Sequence, residues 1–139
     1  MNRLVRALIV VPAMAAAITA GTVTAASAAT GVPSGPPPSA SDPGVWCVST
    51  SGAKACFAEY GDRVWVKDTK KNGASAAATI KDDSSSSNWY RECFNRRGAD
   101  GGWVRCNFNV PEYNKGVLWA VNKPFVGNSA STTIWTSII

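Results

Sequence analysis

The stretch Trp89–Val110, WYRECFNRRGADGGWVRCNFNV, decides the fold that this sequence predicts. Two runs with strand character flank the turn cluster GADG at residues 98–101. If the chain folds back at this cluster as an antiparallel hairpin, Cys93 lies opposite Cys106. Opposed residues of an antiparallel pair are about 4.5 to 5.5 Å apart at Cα, a separation that a disulfide spans. The sequence therefore predicts a hairpin closed by a Cys93–Cys106 bridge.

The remainder of the chain from Val45 repeats this pattern of short β-type runs separated by glycine, asparagine or serine. The runs recur at a spacing of roughly ten residues, which is typical of sandwiches and barrels. No long window shows the 3.6-residue period of an amphipathic helix. The predicted fold is all-β, a small antiparallel sandwich or barrel of about eight strands. The runs are VWCVST, KACFAEY, DRVWVKD, ASAAATIK, WYRECFN, GWVRCNFNV, VLWAVNK and TTIWTSII.

The first of these hairpins carries the other two cysteines. A two-residue turn at Ser51-Gly52 places Cys47 opposite Cys56. Four cysteines allow three connectivities, but both turns favour the local one. We therefore expect two hairpin disulfides, Cys47–Cys56 and Cys93–Cys106, each contributing roughly 3 kcal/mol in the chain-entropy model.

The N-terminal part of the chain has a different composition. Residues 1–28 carry two arginines, an apolar run and the small-residue sequence Ala26-Ser27-Ala28, which together predict a cleaved secretory signal peptide. The apolar run is shorter than the roughly 20 residues that span a bilayer, so no membrane anchor is expected. Residues 29–44 are rich in proline and predict a disordered leader. We expect a secreted, extracellular monomer whose β domain occupies residues 45–139.

The second hairpin can be registered from the apolar side chains on its two strands. A three-residue loop, Lys71–Gly73, brings the valines of one strand to the same face as the alanines and isoleucine of the next. That core face holds Val64, Val66, Ala76, Ala78 and Ile80. Four tryptophans in apolar contexts are also expected in the core, since aromatic side chains supply much of the burial in thin β domains. They are Trp46, Trp89, Trp119 and Trp135.

The opposite faces of the two hairpins combine aromatic and basic side chains. Such a surface is suited to stacking on sugars, binding an anionic polymer or contacting a protein. The binding surface is expected on the outward face of the central hairpin, extended by Trp65 if the second hairpin lies alongside it. The alternative is that a second sheet or the long loop covers Trp65 and Trp103, which would make this face part of the core. The predicted binding residues are Trp65, Tyr90, Phe94, Arg96, Trp103 and Arg105.

The composition limits the chemistry that the chain can perform. It contains no histidine, which removes Ser-His-Asp and Cys-His catalysis and the usual zinc sites, so no catalytic residue, metal or cofactor is predicted. Removal of the signal peptide with its two arginines lowers the net charge from +5 to about +3, which is too small for a dedicated nucleic-acid-binding domain. Two alternatives stay open. One is a small hydrolase that depends on carboxylates such as Asp62 or Glu112, and the other is a protease inhibitor that presents the loop Ser84–Ser87.

Two segments carry a resemblance to a group of proteins. CFAEYGDRVWVKDTKKNGASA and RECFNRRGADGGWVRCNFNVPE, which cover most of residues 56–112, resemble small secreted β-domain proteins of actinobacteria. The resemblance implies export, a β-fold and two disulfides, and it transfers no functional residue. The function expected from the sequence is a secreted, non-enzymatic binding or interaction module. Its ligand would be an anionic cell-wall polymer or an extracellular protein.

Overall fold

A computed structural model describes residues 26–83, 89–112, 115–123 and 129–135, which form ten β-strands in two sheets. The prediction of an all-β sandwich is confirmed. A 3₁₀ helix, Ala99–Gly101, interrupts the connection between the seventh and eighth strands. The strands are β1 Ala26–Thr30, β2 Val32–Pro33, β3 Val45–Ser49, β4 Ala53–Ala58, β5 Arg63–Asp68, β6 Ser75–Asp82, β7 Tyr90–Asn95, β8 Trp103–Asn107, β9 Lys115–Lys123 and β10 Ser129–Trp135.

The strands divide into two five-stranded sheets. Sheet A has the order β1-β7-β6-β9-β10, and sheet B has the order β2-β8-β5-β4-β3. Neighbouring strands are antiparallel, except that β1 runs parallel to β7. Strands β3 to β10 correspond to the eight runs expected from the sequence, and β1 and β2 are additional strands from the N-terminal part of the chain.

The core lies between the sheets and is filled by alternate residues of their strands. Phe57 from sheet B and Leu118 from sheet A are fully buried there, and Trp46 stacks on Phe57 with ring centroids 6.0 Å apart. The predicted core face of Val64, Val66, Ala76, Ala78 and Ile80 is confirmed as buried. The predicted pairing of the two strands that form this face is wrong, because β5 belongs to sheet B and β6 to sheet A. The connection expected to form a hairpin at residues 71–73 instead passes from one sheet to the other.

The Cys47–Cys56 disulfide is confirmed together with the hairpin that predicted it. The two residues are register partners in β3 and β4, with Cα atoms 4.1 Å apart. The turn is closed by the backbone bond from Thr50 N–H to the Ala53 carbonyl, at 2.8 Å. A two-residue turn leaves no length for the chain to change sheets, so sequence and structure agree here.

The Cys93–Cys106 disulfide is also confirmed, but the predicted hairpin around it is wrong. Strand β7 lies in sheet A and β8 in sheet B, so the bridge crosses the core and joins the two sheets, with Cα atoms 5.8 Å apart. Both strands carry one apolar face, and packing one sheet on the other buries both faces at once. If β7 and β8 paired as a single hairpin with no second sheet packed on it, their shared apolar face would be exposed to water.

The N-terminal segment differs from the disordered leader expected for residues 29–44. Gly31 N–H donates to the Phe94 carbonyl at 2.9 Å, and Ser34 N–H donates to the Trp103 carbonyl at 3.0 Å. These bonds attach β1 to the edge of sheet A and β2 to the edge of sheet B, although neither segment has a large apolar side chain in the core. The expected cleavage position after Ala28 falls inside β1.

Residues 1–25, which hold most of the predicted signal peptide, lie outside the described residues, and that assignment stays a prediction. Within the described part of the chain, no helix is long and apolar enough to cross a membrane.

Replacing Gly31 with alanine tests whether this segment belongs to the fold. A Cβ at Gly31 would lie 2.8 Å from the Val104 Cβ and 3.2 Å from the Cys93 Sγ. We expect Gly31→Ala to lower the free energy of unfolding by about 1–3 kcal/mol, the usual cost of overpacking a core. Urea denaturation measures the change, with Gly35→Ala as the control because an added Cβ there meets nothing within 4 Å. Equal stabilities of the two variants would show that the segment is detached.

The two disulfides should differ in their contribution to stability. The loop-closure term of the entropy model is nearly the same for both, about 3 kcal/mol. However, Cys93 and Cys106 are buried in the core, whereas Cys47 is only half-buried. We expect the double substitution of Cys93 and Cys106 by alanine to destabilise more than that of Cys47 and Cys56, because it removes two buried sulfurs and the other removes only that of Cys56, so the cavity is larger. The urea midpoints of the two variants measure which substitution destabilises more. A larger loss in the Cys47 and Cys56 variant would contradict the placement of the Cys93–Cys106 disulfide between the sheets.

Candidate functional site

The six binding residues expected from the sequence fall on two opposite surfaces of the sandwich. Tyr90 and Phe94 project from the outer face of sheet A, and Arg96 follows β7 with its guanidinium carbon 5.2 Å from the centre of the Phe94 ring. The other three residues, Trp65, Trp103 and Arg105, project from the outer face of sheet B. The alternation of side chains along β7 and β8 was predicted correctly, but the two strands lie in different sheets. Their outward faces therefore point in opposite directions.

The outer face of sheet B is largely covered. Trp65 is only 5% exposed and packs among Cys56, Ala58 and the half-buried Trp103. The proline-rich residues 36–40 border a hollow of about 480 Å³ on this face, which Trp103 also lines. Trp65 does not line this hollow and is covered by its neighbours within sheet B, so it presents almost no surface to a ligand.

The outer face of sheet A carries an open groove of about 380 Å³. Its floor is formed by Thr79 of the central strand β6, which is small and buried. The walls are formed by Tyr90 on β7 and Trp119 on β9, the two strands that flank β6. Strands two positions apart are separated by about 10 Å, which sets the width between the walls. The residues that line this groove, called the sheet A groove below, are Thr79, Lys81, Tyr90, Glu92, Trp119, Val121 and Lys123.

A paired charge lies at the base of the sheet A groove. Glu92 is 5% exposed and forms an ion pair with Lys123, with Oε1 and Nζ 2.6 Å apart. Its carboxylate also accepts hydrogen bonds from Thr79 Oγ1 at 3.3 Å and from the Tyr90 hydroxyl. The Lys123 ammonium lies 5.0 Å from the centre of the Phe94 ring. These contacts join β6, β7 and β9 and hold the side chains of Tyr90 and Phe94 in place.

Trp119 belongs to the groove, although the sequence placed it in the core. The run VLWAVNK is apolar at nearly every position, so its composition does not distinguish the buried face from the outer one. The alternation along the strand could have identified its face, because Trp119 is on the same side of β9 as Lys123, whereas Leu118 and Ala120 are on the side that faces the core. Trp46 and Trp89 pack against the core as expected. The side chain of Trp135 lies outside what the structure describes.

The phenol of Tyr90 has a strongly perturbed acidity. Its partial burial is the main cause that raises its pKa from 10.0 to about 12, and the hydrogen bond and negative charge of Glu92 raise it further. A hydrogen bond with Thr79 acts in the opposite direction. At neutral pH Tyr90 is therefore a neutral hydrogen-bond donor in the wall of the groove.

The carboxylates proposed for catalysis have other positions. Asp62 adopts a left-handed backbone conformation with φ of 49°, and its Oδ2 accepts the Val110 N–H at 3.1 Å. Asp62 thus holds the chain that follows β8, and Glu112 lies exposed beyond it. No group of three or more candidate metal ligands occurs among the described residues. The expected inhibitory loop, Ser84–Ser87, lies outside them.

Comparison with known proteins adds no relative: no family model, curated protein or solved structure matches this chain.

The raised pKa of Tyr90 gives a testable pH dependence. Subtracting the phenolate absorbance titration of Tyr90→Phe from that of the unsubstituted protein should leave a single transition with its midpoint near pH 12. Because the folded-state pKa lies above the unfolded value of 10.0, the stability contributed by Tyr90 is complete below pH 10 and is lost as the pH rises toward 12. Glu92→Gln should move the midpoint downward. A difference transition centred at pH 10 would contradict the contact with Glu92.

Proposed function

We propose that this protein is a secreted, non-enzymatic binding module that holds a chain of a cell-envelope polysaccharide in the sheet A groove. The observation that carries the proposal is an open groove whose walls are Tyr90 and Trp119 and whose base is the Glu92–Lys123 ion pair. The rings of Tyr90 and Trp119 supply apolar area for stacking on a sugar, and the Tyr90 hydroxyl supplies a polar edge. The Trp119 indole N–H is itself buried and has no hydrogen-bond partner among the described residues, so Trp119 contributes its ring face only. The Tyr90 hydroxyl and the exposed Lys81 add polar groups at one end of the groove.

The size of the groove favours a single polymer chain over a protein partner. Seven side chains line it, whereas a standard protein–protein interface uses about 20 to 30 residues on each side. The width of about 10 Å admits one extended chain between the walls. The neighbouring Phe94, which contacts both Lys123 and Arg96, extends the aromatic surface along the same direction.

A hydrolytic role has less support from the same residues. Glycoside hydrolysis requires two carboxyl groups across the bound chain, at about 5 to 10 Å. The groove contains one carboxylate, Glu92, and that group is already held by Lys123 and Thr79. Asp62 is engaged with the backbone at Val110. Binding without turnover is the function that this arrangement supports best.

The extracellular location rests on the cysteines and on the sequence resemblance. All four cysteines of the chain are paired, and disulfides persist in oxidising compartments. The resemblance to small secreted β-domain proteins and the predicted signal peptide support the same location. We propose that the exported protein acts as a monomer, because one groove is complete within one chain.

Substitution of Trp119 tests the groove directly. We expect Trp119→Ala to weaken binding of soluble cell-wall polysaccharide fragments by about tenfold or more, the loss typical of a central aromatic contact. The matched control is Trp103→Ala, which removes a half-buried tryptophan from the opposite face of the sandwich. Affinity electrophoresis measures the retardation by the polysaccharide, and circular dichroism verifies that both variants fold.

Two results would contradict the proposal. One is an equal loss of binding in Trp119→Ala and Trp103→Ala, which would move the site away from sheet A. The other is turnover of the polysaccharide that Asp62→Asn or Glu112→Gln abolishes, which would restore the hydrolase alternative.

A further inference from the structure

A second depression, of about 350 Å³, lies at the end of the sandwich where two inter-sheet connections meet. One connection follows β5 and the other follows β7. Between them they bring four basic side chains to one cleft: Lys70, Lys71, Arg96 and Arg97. The cleft, called the end cleft below, is separate from the groove described above, and only Arg96 belongs to the binding residues expected from the sequence.

The charges of the end cleft do not balance. Two carboxylates accompany the four cations, which leaves a formal excess of two positive charges. Asp100 is used by Lys71 in an ion pair of 2.7 Å, and the buried Asp68 accepts the backbone N–H of Lys70 at 3.0 Å. Among the described residues, no carboxylate forms an ion pair with the side chain of Lys70 or Arg96.

The backbone that carries the two arginines is held in place by Asn95. This residue is fully buried, and its side-chain amide donates to the Val66 carbonyl at 3.2 Å and to the Gly102 carbonyl at 2.9 Å. Its side-chain oxygen accepts the Arg97 N–H at 2.9 Å. Asn95 therefore links both sheets and both ends of the connection at the floor of the cleft. The backbone that carries Arg96 and Arg97 is therefore held before any ligand arrives, and the Arg97 guanidinium donates to the Gly101 carbonyl at 2.6 Å. A backbone fixed in advance lowers the entropic cost of binding.

The end cleft adjoins the sheet A groove. The central strand β6 begins at Ser75, which lines the cleft, and Ser75 is the register partner of Lys123, which lines the groove. Phe94 lies between the two sites, with Lys123 5.0 Å from the centre of its ring and Arg96 5.2 Å from it. A chain that runs along β6 toward Ser75 would leave the aromatic walls and meet the basic side chains next.

We propose that the end cleft binds an oxyanion, a phosphate or carboxylate group, carried by the polymer that lies in the sheet A groove. This inference rests on the proposed function for its polymer, but the oxyanion site has its own physical basis. A concave surface with an excess of one sign of charge concentrates the field more than a flat one does. Arginine adds a planar fork that matches the oxygens of phosphate and carboxylate groups. The ligand class is thereby an acidic polysaccharide or polyol phosphate.

The first test uses inorganic tripolyphosphate and the full-length protein. Titration followed by two-dimensional NMR should shift the backbone amides of residues 70–74 and 96–100. The double variant Lys70→Gln, Arg96→Gln should lose these shifts. The control variant Lys54→Gln, Lys67→Gln removes the same charge from neighbouring strands of sheet B and should keep them. The inference is overturned if tripolyphosphate shifts none of these amides in the unsubstituted protein. It is also overturned if the cleft variant and the control variant lose the shifts equally.

The second test compares poly(glycerol phosphate), polygalacturonate and uncharged dextran at low and high salt. The cleft variant should bind an acidic polymer about tenfold more weakly at low salt, with a reduced salt dependence, and should bind dextran as the unsubstituted protein does. A larger loss with poly(glycerol phosphate) identifies phosphate as the group bound, and a larger loss with polygalacturonate identifies carboxylate.

The outcomes separate the two proposals. If Trp119→Ala weakens polymer binding but the cleft variant does not, the sheet A groove stands and the oxyanion site is overturned. If tripolyphosphate shifts the cleft amides in the charge-dependent way but none of the polymers binds, the oxyanion site stands and the proposed polysaccharide function is overturned.

Discussion

The rest of the structure depends on the covalent link between the two sheets at Cys93 and Cys106. One cysteine belongs to sheet A and the other to sheet B, and both are buried, so the bridge fixes the separation of the layers within the core. Gly31 packs against the same place, where an added Cβ would meet Val104 and the sulfur of Cys93. The missing side chain lets the N-terminal segment pass from β1 to β2 beside the bridge. Gly31 and the Cys93–Cys106 disulfide thus fix how the edge strands β1 and β2 meet their two sheets.

The faces of individual strands could be predicted from the sequence, but the sheet to which each strand belongs could not. Alternation identified Val64, Val66 and Ile80 as buried without any knowledge of their partners. The connections at 69–74 and 96–102 are long enough either to turn back within a sheet or to cross between sheets, and both paths leave the same residues buried. The Ser51-Gly52 turn permits only the first path, which is why that hairpin was predicted in full.

The structure of the N-terminal segment could not be predicted from its composition. Its prolines and lack of large apolar side chains predict disorder, because such a segment gains little from burial. Its attachment comes instead from backbone bonds to the open edges of β7 and β8, through Gly31 and Ser34. Strand edges present unpaired amide and carbonyl groups that any extended chain can use, and the composition of that chain does not reveal the pairing.

The two outer faces differ in a way that bears on function. On sheet B, Trp65 is buried among its neighbours and the proline-rich residues 36–40 border the hollow beside Trp103, so Trp65 contributes to the fold. On sheet A, Tyr90 and Trp119 flank a small residue, Thr79, and no further layer of hydrophobic residues is packed over them in the described part of the chain. Tryptophans and basic residues occur on both faces, so counting them in the sequence cannot separate a structural face from a binding one. The difference arises from what covers each face, and it favours sheet A as the surface that meets a ligand.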